Sequence, residues 1–416
     1  METINLKYGS TKIPFEYDPA RFEIVGNNSS AAPLTDVEIG KRLDDPIGSA
    51  PLEDIVKPGE TVLFVVPDAT RDVGAGQIVN LLVRRLIAAG VLPGDIAAIF
   101  ATGIHRVVTE EEKRHILTPF IAQRIKILRH DASDPIRNFR VGETSGGIPV
   151  ELDWAVTEYD HVVLIGGVTF HYFAGFTGGR KLICPGLASA KTTKATHMLA
   201  FDCDVKGRRD GVGTGISDGN AVHEAFMESA AFAKPAFCVS SITNDAGEVI
   251  ELYSGDWRTS HRTACDAYAA AHTLRIPEKR PMVVASCGGF PHDINVIQAH
   301  KTLEAASHAC LEGGTIVLLA ECRDGLGRAD FLDWFDPGTS EAVAERLCEK
   351  YQVNGQTAWN LLRIAQRHDV RIVTALDDAT LSKMRMKKVS SINETLSHST
   401  LTGYILPEGA KNSVRF

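Results

Sequence analysis

The sequence predicts an α/β protein of two doubly wound domains, with the active site in the cleft between them. Three observations predict this. Short apolar runs such as Val62-Leu63-Phe64-Val65-Val66 alternate with segments of helical period, the pattern of parallel strands buried on both faces under crossover helices. Polar or glycine-bearing loops follow these runs at Asp68-Ala69-Thr70-Arg71, at Ala101-Thr102-Gly103-Ile104-His105-Arg106 and at Gly166-Gly167, where ligands of open α/β sheets collect. The alternation starts again at Arg280-Pro281, after a helical stretch ending near Thr273, which sets the expected domains at residues 1–272 and 273–416.

The first strand reads from Thr61 to Pro67. A helix from about Gly76 to Ala89 follows, with Ile78, Leu81, Leu82, Leu86 and Ile87 on one side and Gly90 as its stop. Asp95 to Phe100 is the second strand. The right-handed crossover of this βαβ unit brings the Asp68 loop and His105 to one edge of the sheet. Thr109 and Glu112 make a T-x-x-E capping box that starts a helix just beyond His105. Arg124 to Leu128 is a third strand, and His161 to Ile165 a fourth that delivers His171 to the same edge. The second half reads as strand Met282 to Ser286, a helix from Val296 to Leu311 capped by Asp293 or Asn295, and strand Thr315 to Ala320. Helices near 339–350 and 355–367 and strand Val370 to Ala375 complete it.

Composition narrows the function classes. The 416 residues carry 44 Lys+Arg against 52 Asp+Glu, a formal net charge of −8, so no nucleic-acid partner is expected. No run approaches the ~20 apolar residues of a membrane span, and the start METINLKYGS lacks the apolar core of a secretion signal. No membrane partner is expected. The eight cysteines are spread singly, without a CxxC pair, which predicts neither a zinc ribbon nor a disulfide framework and fits a reducing cytoplasm.

The densest stretch for chemistry runs from His171 to Gly186. Gly175, Gly178 and Gly179 precede Lys181 in a loop that follows a buried strand, so backbone can approach a ligand closely and offer N–H groups to an anion. This predicts a phosphate-bearing cofactor. Gly186 to Thr192 resembles a P-loop in ending Lys-Thr, but it lacks the glycine before the lysine that lets such a loop wrap phosphates. Of the 14 histidines, His105, His171 and His197 occupy loop or motif positions. Imidazole there can ligate a metal or, with a reference pKa of about 6.5, exchange protons near neutrality. Their spacings match no local zinc signature such as HExxH. His115, His223, His261 and His368 read as structural. Lys181 is either a solvated cation or an amine placed for a phosphate or a covalent bond. Gln298 and Lys301, at i and i+3, either hold a carboxylate near a helix N-terminus or form an ordinary surface pair.

Taken together, Asp68-Ala69-Thr70-Arg71, the ATGIHR segment, the string H-x-x-A-G-F-x-G-G-x-K-x-x-x-P-G from His171, then His197, and finally Phe290 to Asn295 with Gln298 and Lys301 resemble the nickel-pincer-dependent lactate racemase family. The order is the family's and spans nearly the whole chain. The string from His171 is the most specific part. The resemblance implies a racemase or epimerase of 2-hydroxy acids that works by reversible hydride transfer to nickel pyridinium-3,5-bisthiocarboxylic acid mononucleotide. It also implies partner enzymes that make this cofactor. Lys181 would carry the cofactor as a thioamide and His197 would ligate its nickel. His105 and His171 would be the paired acid/bases. Asp68, Ala69, Thr70 and Arg71, with Gly178 and Gly179, would bind the cofactor, Arg71 also steadying a substrate oxygen or His105. Gln298 and Lys301 would hold the substrate carboxylate. Lactate-specific members carry a tyrosine where this chain has Ile297, so the expected substrate has a side chain larger than methyl, with Phe170, Tyr172, His292, His300 and Trp359 as pocket walls. Two other readings stand beside this one: a sugar-acid (aldonate) 2-epimerase of the same family, and a zinc-type hydrolase or binding protein using the histidines.

Overall fold

Parallel pairing builds two six-stranded sheets in the computed structural model of the chain, which describes residues 1–26, 31–68, 73–396 and 400–416. An N-terminal unit comprises Ser29–Ala200 and Asp210–Ala270; a C-terminal unit comprises Met1–Asn28, Phe201–Arg209 and Ala271–Phe416. Both units are α/β, as the alternation predicts.

The N-terminal sheet runs, in spatial order, Val249–Gly255, Phe237–Thr243, His161–Gly167, Val62–Pro67, Ile96–Ala101, Lys126–Leu128. Only the edge strand Val249–Gly255 is antiparallel. All six residues of Val62–Pro67 are buried, and the period of two splits them between two cores. Val62, Phe64 and Val66 pack with Ile78, Leu82 and Leu86; Leu63 and Val65 pack with Phe173, Leu182, Ile183 and Phe226. The chain leaves Val62–Pro67 for Ile96–Ala101 on one side and returns to His161–Gly167 on the other, so the switch point lies at the carboxyl ends of these strands.

Local signals hold closely. The helix Ala75–Ala88 buries Ile78, Leu82 and Leu86 with Val79 and Val83, while Ile87, expected on the buried side, is 38% exposed. The stripe follows positions 75, 79, 83 and 78, 82, 86, one step round from the expected face. Thr109 and Glu112 make the capping box of helix Glu110–Ala122 with both reciprocal bonds.

The C-terminal sheet is wholly parallel, in the order Lys387–Lys388, Asp369–Val373, Cys310–Leu319, Arg280–Ser286, Gly403–Leu406, Phe22–Ile24. The apolar pattern suggests two uninterrupted stretches, 1–272 and 273–416, whereas both units are discontinuous. Phe22–Ile24 pairs with Gly403–Leu406 at the sheet edge, and Phe201 packs edge-on against Trp359, 5.1 Å between centroids. Such non-local partners leave no trace in periodicity.

The cysteines bring a correction. Cys203 and Cys348 form a disulfide across 145 residues, with Cα atoms 5.7 Å apart, and the other six are buried thiols. Single spacing hid the pair because its partners meet only through the fold. Closing so long a loop restricts the unfolded chain. Reduction is expected to lower the stability of the C-terminal unit by up to about 5 kcal/mol, checked by denaturant unfolding with and without a phosphine reductant. An unchanged midpoint, with the bond mapped by non-reducing peptide analysis, would deny it that role. Among the described residues no helix is long and apolar enough to cross a membrane.

Candidate active site

Register places the first two loops side by side, since Pro67 pairs with Ala101. Asp68, 6% exposed, directs Oδ2 to His105 Nδ1 at 2.8 Å, while the His105 ring is 60% exposed. A carboxylate only accepts, so Nδ1 carries the proton and Nε2 the lone pair, the tautomer of a general base. The turn that holds this ring is pinned at both ends: His105 N–H donates to Thr102 O, and Gly103 N–H donates to Gly186 O at 2.8 Å. Ala69, Thr70 and Arg71 lie outside the described residues.

His171 stands in a two-stranded ribbon, Phe170–His171 against Gly175–Phe176, opposite Gly175. Ala174 N–H donates to its Nδ1 at 3.2 Å, so the neutral ring carries its proton on Nε2. Lys181 follows on the short 3-10 helix Gly179–Leu182. Gly178 and Gly179 have φ of +75° and +50°, which a side chain would strain.

One aromatic pair gathers the predicted groups. The His171 ring lies 4.4 Å from Phe173, edge-on. Lys181 Nζ lies 5.7 Å from the Phe173 centroid and 5.4 Å from that of Phe226. The His197 ring, on helix Ala190–Met198, is 5.2 Å from Phe173 and 5.3 Å from Phe226. His197 is 6% exposed. Burial first, then the charges of Lys181 and His105, push its pKa down to about 3, so it stays neutral. Its Nδ1–H donates to Thr193 O at 2.7 Å, which puts the lone pair on Nε2, the arrangement of a metal-binding imidazole oriented by a carbonyl. The P-loop-like segment has a plainer use: Ser189 caps this helix at Thr192 N, and Lys191 is 87% exposed.

Gln298 and Lys301 belong to the C-terminal unit, on helix Val296–Ala309, whose N-cap is Asn295 rather than Asp293. Lys301 Nζ donates to Gln298 Oε1 at 2.7 Å. Ile297 is partly buried against that unit's core. Two expected pocket walls are core residues instead: Trp359 is 3% exposed, and Phe170, 8% exposed, packs edge-on against Tyr268. His292 and His300 are also in this unit, and burial pushes the pKa of each down to about 4. Tyr172 stacks on His171.

The profile of the lactate racemase N-terminal domain matches residues 8–207, and that of the lactate racemase C-terminal domain matches residues 277–404. The lactate racemase of Lactiplantibacillus plantarum is 31% identical over 365 residues, covering 86% of this chain and 84% of its own. The chain belongs to the lactate racemase family. A second lactate racemase, from Thermoanaerobacterium thermosaccharolyticum, is 27% identical over 383 residues, covering 90% of this chain and 88% of its own. The lactate racemase apoprotein of that organism superposes with a TM-score of 0.90 at 25% identity over the full length of both chains. A protein from Thermotoga maritima shares the fold, with a TM-score of 0.69 at 19% identity over 94% of this chain and all of its own. The chain is thus an isomerase, a racemase of this family with a small-molecule substrate.

Sequence reasoning about this racemase misses the residues that bring its site together. Phe173 and Phe226 are 53 positions apart, and only the fold makes them one wall. His261, read as structural, is 4% exposed and bonds through Nε2 to Thr177 O at 2.9 Å. Arg180, inside the densest motif, is the largest fully buried side chain among the described residues. A charged residue at a position flanked by glycine and lysine carries no local sign of burial.

Proposed function

We propose that the chain racemises or epimerises a 2-hydroxy acid by reversible hydride transfer, using nickel pyridinium-3,5-bisthiocarboxylic acid mononucleotide tethered through Lys181. The observation that carries this reading is the meeting of His171, Lys181 and His197 on the Phe173 ring, with His105 held by Asp68 and felt electrostatically by His197.

The donor chemistry fits such a cofactor. His197 is neutral, with the proton on Nδ1. Among the described residues no three His, Cys, Asp or Glu side chains form a metal-holding group, which suits a single protein ligand to a metal carried by its own chelate better than a three-ligand zinc site. When bound, the cofactor supplies the hydride acceptor, chemistry that no side chain offers. Lys181 would tether it, His197 would ligate its nickel, and Asp68 to Arg71 with Gly178 and Gly179 would bind it.

The chain's own groups do the proton work. His105 takes the hydroxyl proton at Nε2, and the Asp68 carboxylate stabilises the imidazolium that forms. The enantiomers present their hydroxyls differently, so inversion needs a second base, and His171 fills that role through Nδ1, whose lone pair would turn from the Ala174 N–H to the substrate hydroxyl. Direct deprotonation beside a carboxylate would set two negative charges side by side, which hydride removal avoids. Gln298 and Lys301 hold the substrate carboxylate. The named relatives are lactate racemases, which supports a 2-hydroxy acid substrate. Ile297 supplies no hydroxyl donor, which supports a side chain larger than methyl. The enzyme would work alongside the enzymes that make its cofactor.

A panel of enantiopure 2-hydroxy acids, assayed by chiral chromatography on protein made together with the cofactor-making enzymes, tests the substrate. Acids with larger aliphatic or aromatic side chains are expected to exceed lactate in kcat/KM by about tenfold or more, the discrimination one or two methylenes allow. A preference for lactate would overturn the larger substrate, and activity confined to aldonates would move the assignment to sugar-acid epimerisation.

A further inference from the structure

The Arg180 side chain is fully buried, yet among the described residues no carboxylate pairs with it. Burial lowers its pKa only to about 10, so it stays charged at neutrality. A buried, unpaired guanidinium is costly, and such exceptions call for an explanation. Its hydrogen bonds go to backbone: Nη2 donates to Ala174 O at 2.7 Å and Nη1 to Gly178 O at 3.5 Å.

His261 completes the pattern. Its Nε2 lies 2.9 Å from Thr177 O. A carbonyl only accepts, so this nitrogen carries the proton. Burial, followed by the charge of Arg180, pushes the His261 pKa down to about 3, so the ring is a neutral donor. Cys265 Sγ lies 3.7 Å from Nδ1 and 3.6 Å from Nε2 of the ring, and burial pushes that thiol up to about 12, which keeps it protonated. The Gly179 position is shaped to this ring: a Cβ there would stand 2.5 Å from His261 Cδ2. Three carbonyls of one loop, those of Ala174, Thr177 and Gly178, are thus held by two buried donors. The loop connects His171 to Lys181.

We propose that Arg180 and His261 are positioning residues, which fix the backbone between His171 and Lys181 so that imidazole and amine stand where the cofactor is attached. The proposal rests on the reading of Lys181 as the attachment point. It assigns no contact between either residue and substrate.

Two readouts test it. Hydrogen exchange of the amides from 172 to 182, on protein made without the cofactor enzymes, reports the loop. The fraction of Lys181 carrying an adduct, by intact mass on protein made with those enzymes, reports attachment. His261→Leu removes the donor, and loop exchange is expected to rise about tenfold, as when one hydrogen bond is lost from a local opening unit. Strand Val62–Pro67 keeps its protection, and the adduct fraction falls several-fold. His261→Gln, whose amide can donate from nearly the same place, restores both. Arg180→Lys keeps the charge but cannot span two carbonyls, so its exchange rises and its adduct fraction falls. Wild-type exchange and attachment in His261→Leu would overturn the proposal, as would a His261→Gln variant no better than His261→Leu. If His261→Leu does not fold, Arg180→Lys decides, and wild-type behaviour in both readouts would overturn the proposal. A wild-type chain without any adduct would refute the function proposed for Lys181, while loop exchange would still report the positioning.

Discussion

Replacing Lys181 with arginine is expected to abolish racemisation, a loss of at least about 10⁴-fold in kcat/KM. Arginine keeps a cation beside the rings of Phe173 and Phe226, where the ammonium now lies 5.7 and 5.4 Å from the centroids. It offers no amine that can form a thioamide. If the lysine served only as a solvated cation or an electrostatic anchor, K181R would retain most of its activity. Chiral chromatography of a racemising 2-hydroxy acid, with wild type and variant both made alongside the cofactor enzymes, separates the two outcomes. The substitution is conservative in charge and sits beside an aromatic wall that tolerates a planar cation, so far-ultraviolet circular dichroism should match wild type.

The second large effect belongs to Asp68. Asp68→Asn is expected to lower kcat by about 10²–10⁴-fold with little change in KM, the cost of an imidazole that loses its tautomer and its counter-charge together. In the present geometry the carboxylate lies 2.8 Å from Nδ1 and is itself buried, while the ring reaches solvent. An asparagine amide can turn its NH2 toward Nδ1, which would move the ring proton to Nε2 and remove the base. A variant that keeps wild-type kcat would show that His105 is not a base oriented by this carboxylate.

What could be read from sequence was local. Val62 to Pro67 announces a doubly buried strand because both of its faces are covered by core, and Thr109 with Glu112 announces a helix start because the capping box is written in adjacent turns. His105 and His171 were legible as residues that follow strands, and the βαβ handedness brings the loops of Asp68 and His105 together without further information. The rest depended on partners far apart in the chain. The strand Phe22–Ile24 finds its place only against Gly403–Leu406. Cys203 finds Cys348 across 145 residues. Ile87 was misplaced by one step of the helix, an error that hydrophobicity alone invites when a stripe is flanked by further apolar residues. His261 reads as a structural histidine, and nothing local marks Arg180 as buried, because burial at those positions is imposed by the glycine loop folding over them.

The central claim is that Lys181 tethers a nickel-bearing cofactor that His197 completes. Peptide mass spectrometry with metal analysis, on protein produced together with the cofactor-making enzymes, tests it most directly. The account predicts an added mass confined to the peptide containing Lys181, close to one nickel per modified chain, and loss of nickel but retention of the adduct in His197→Ala. An unmodified Lys181 in protein that racemises a 2-hydroxy acid would contradict it.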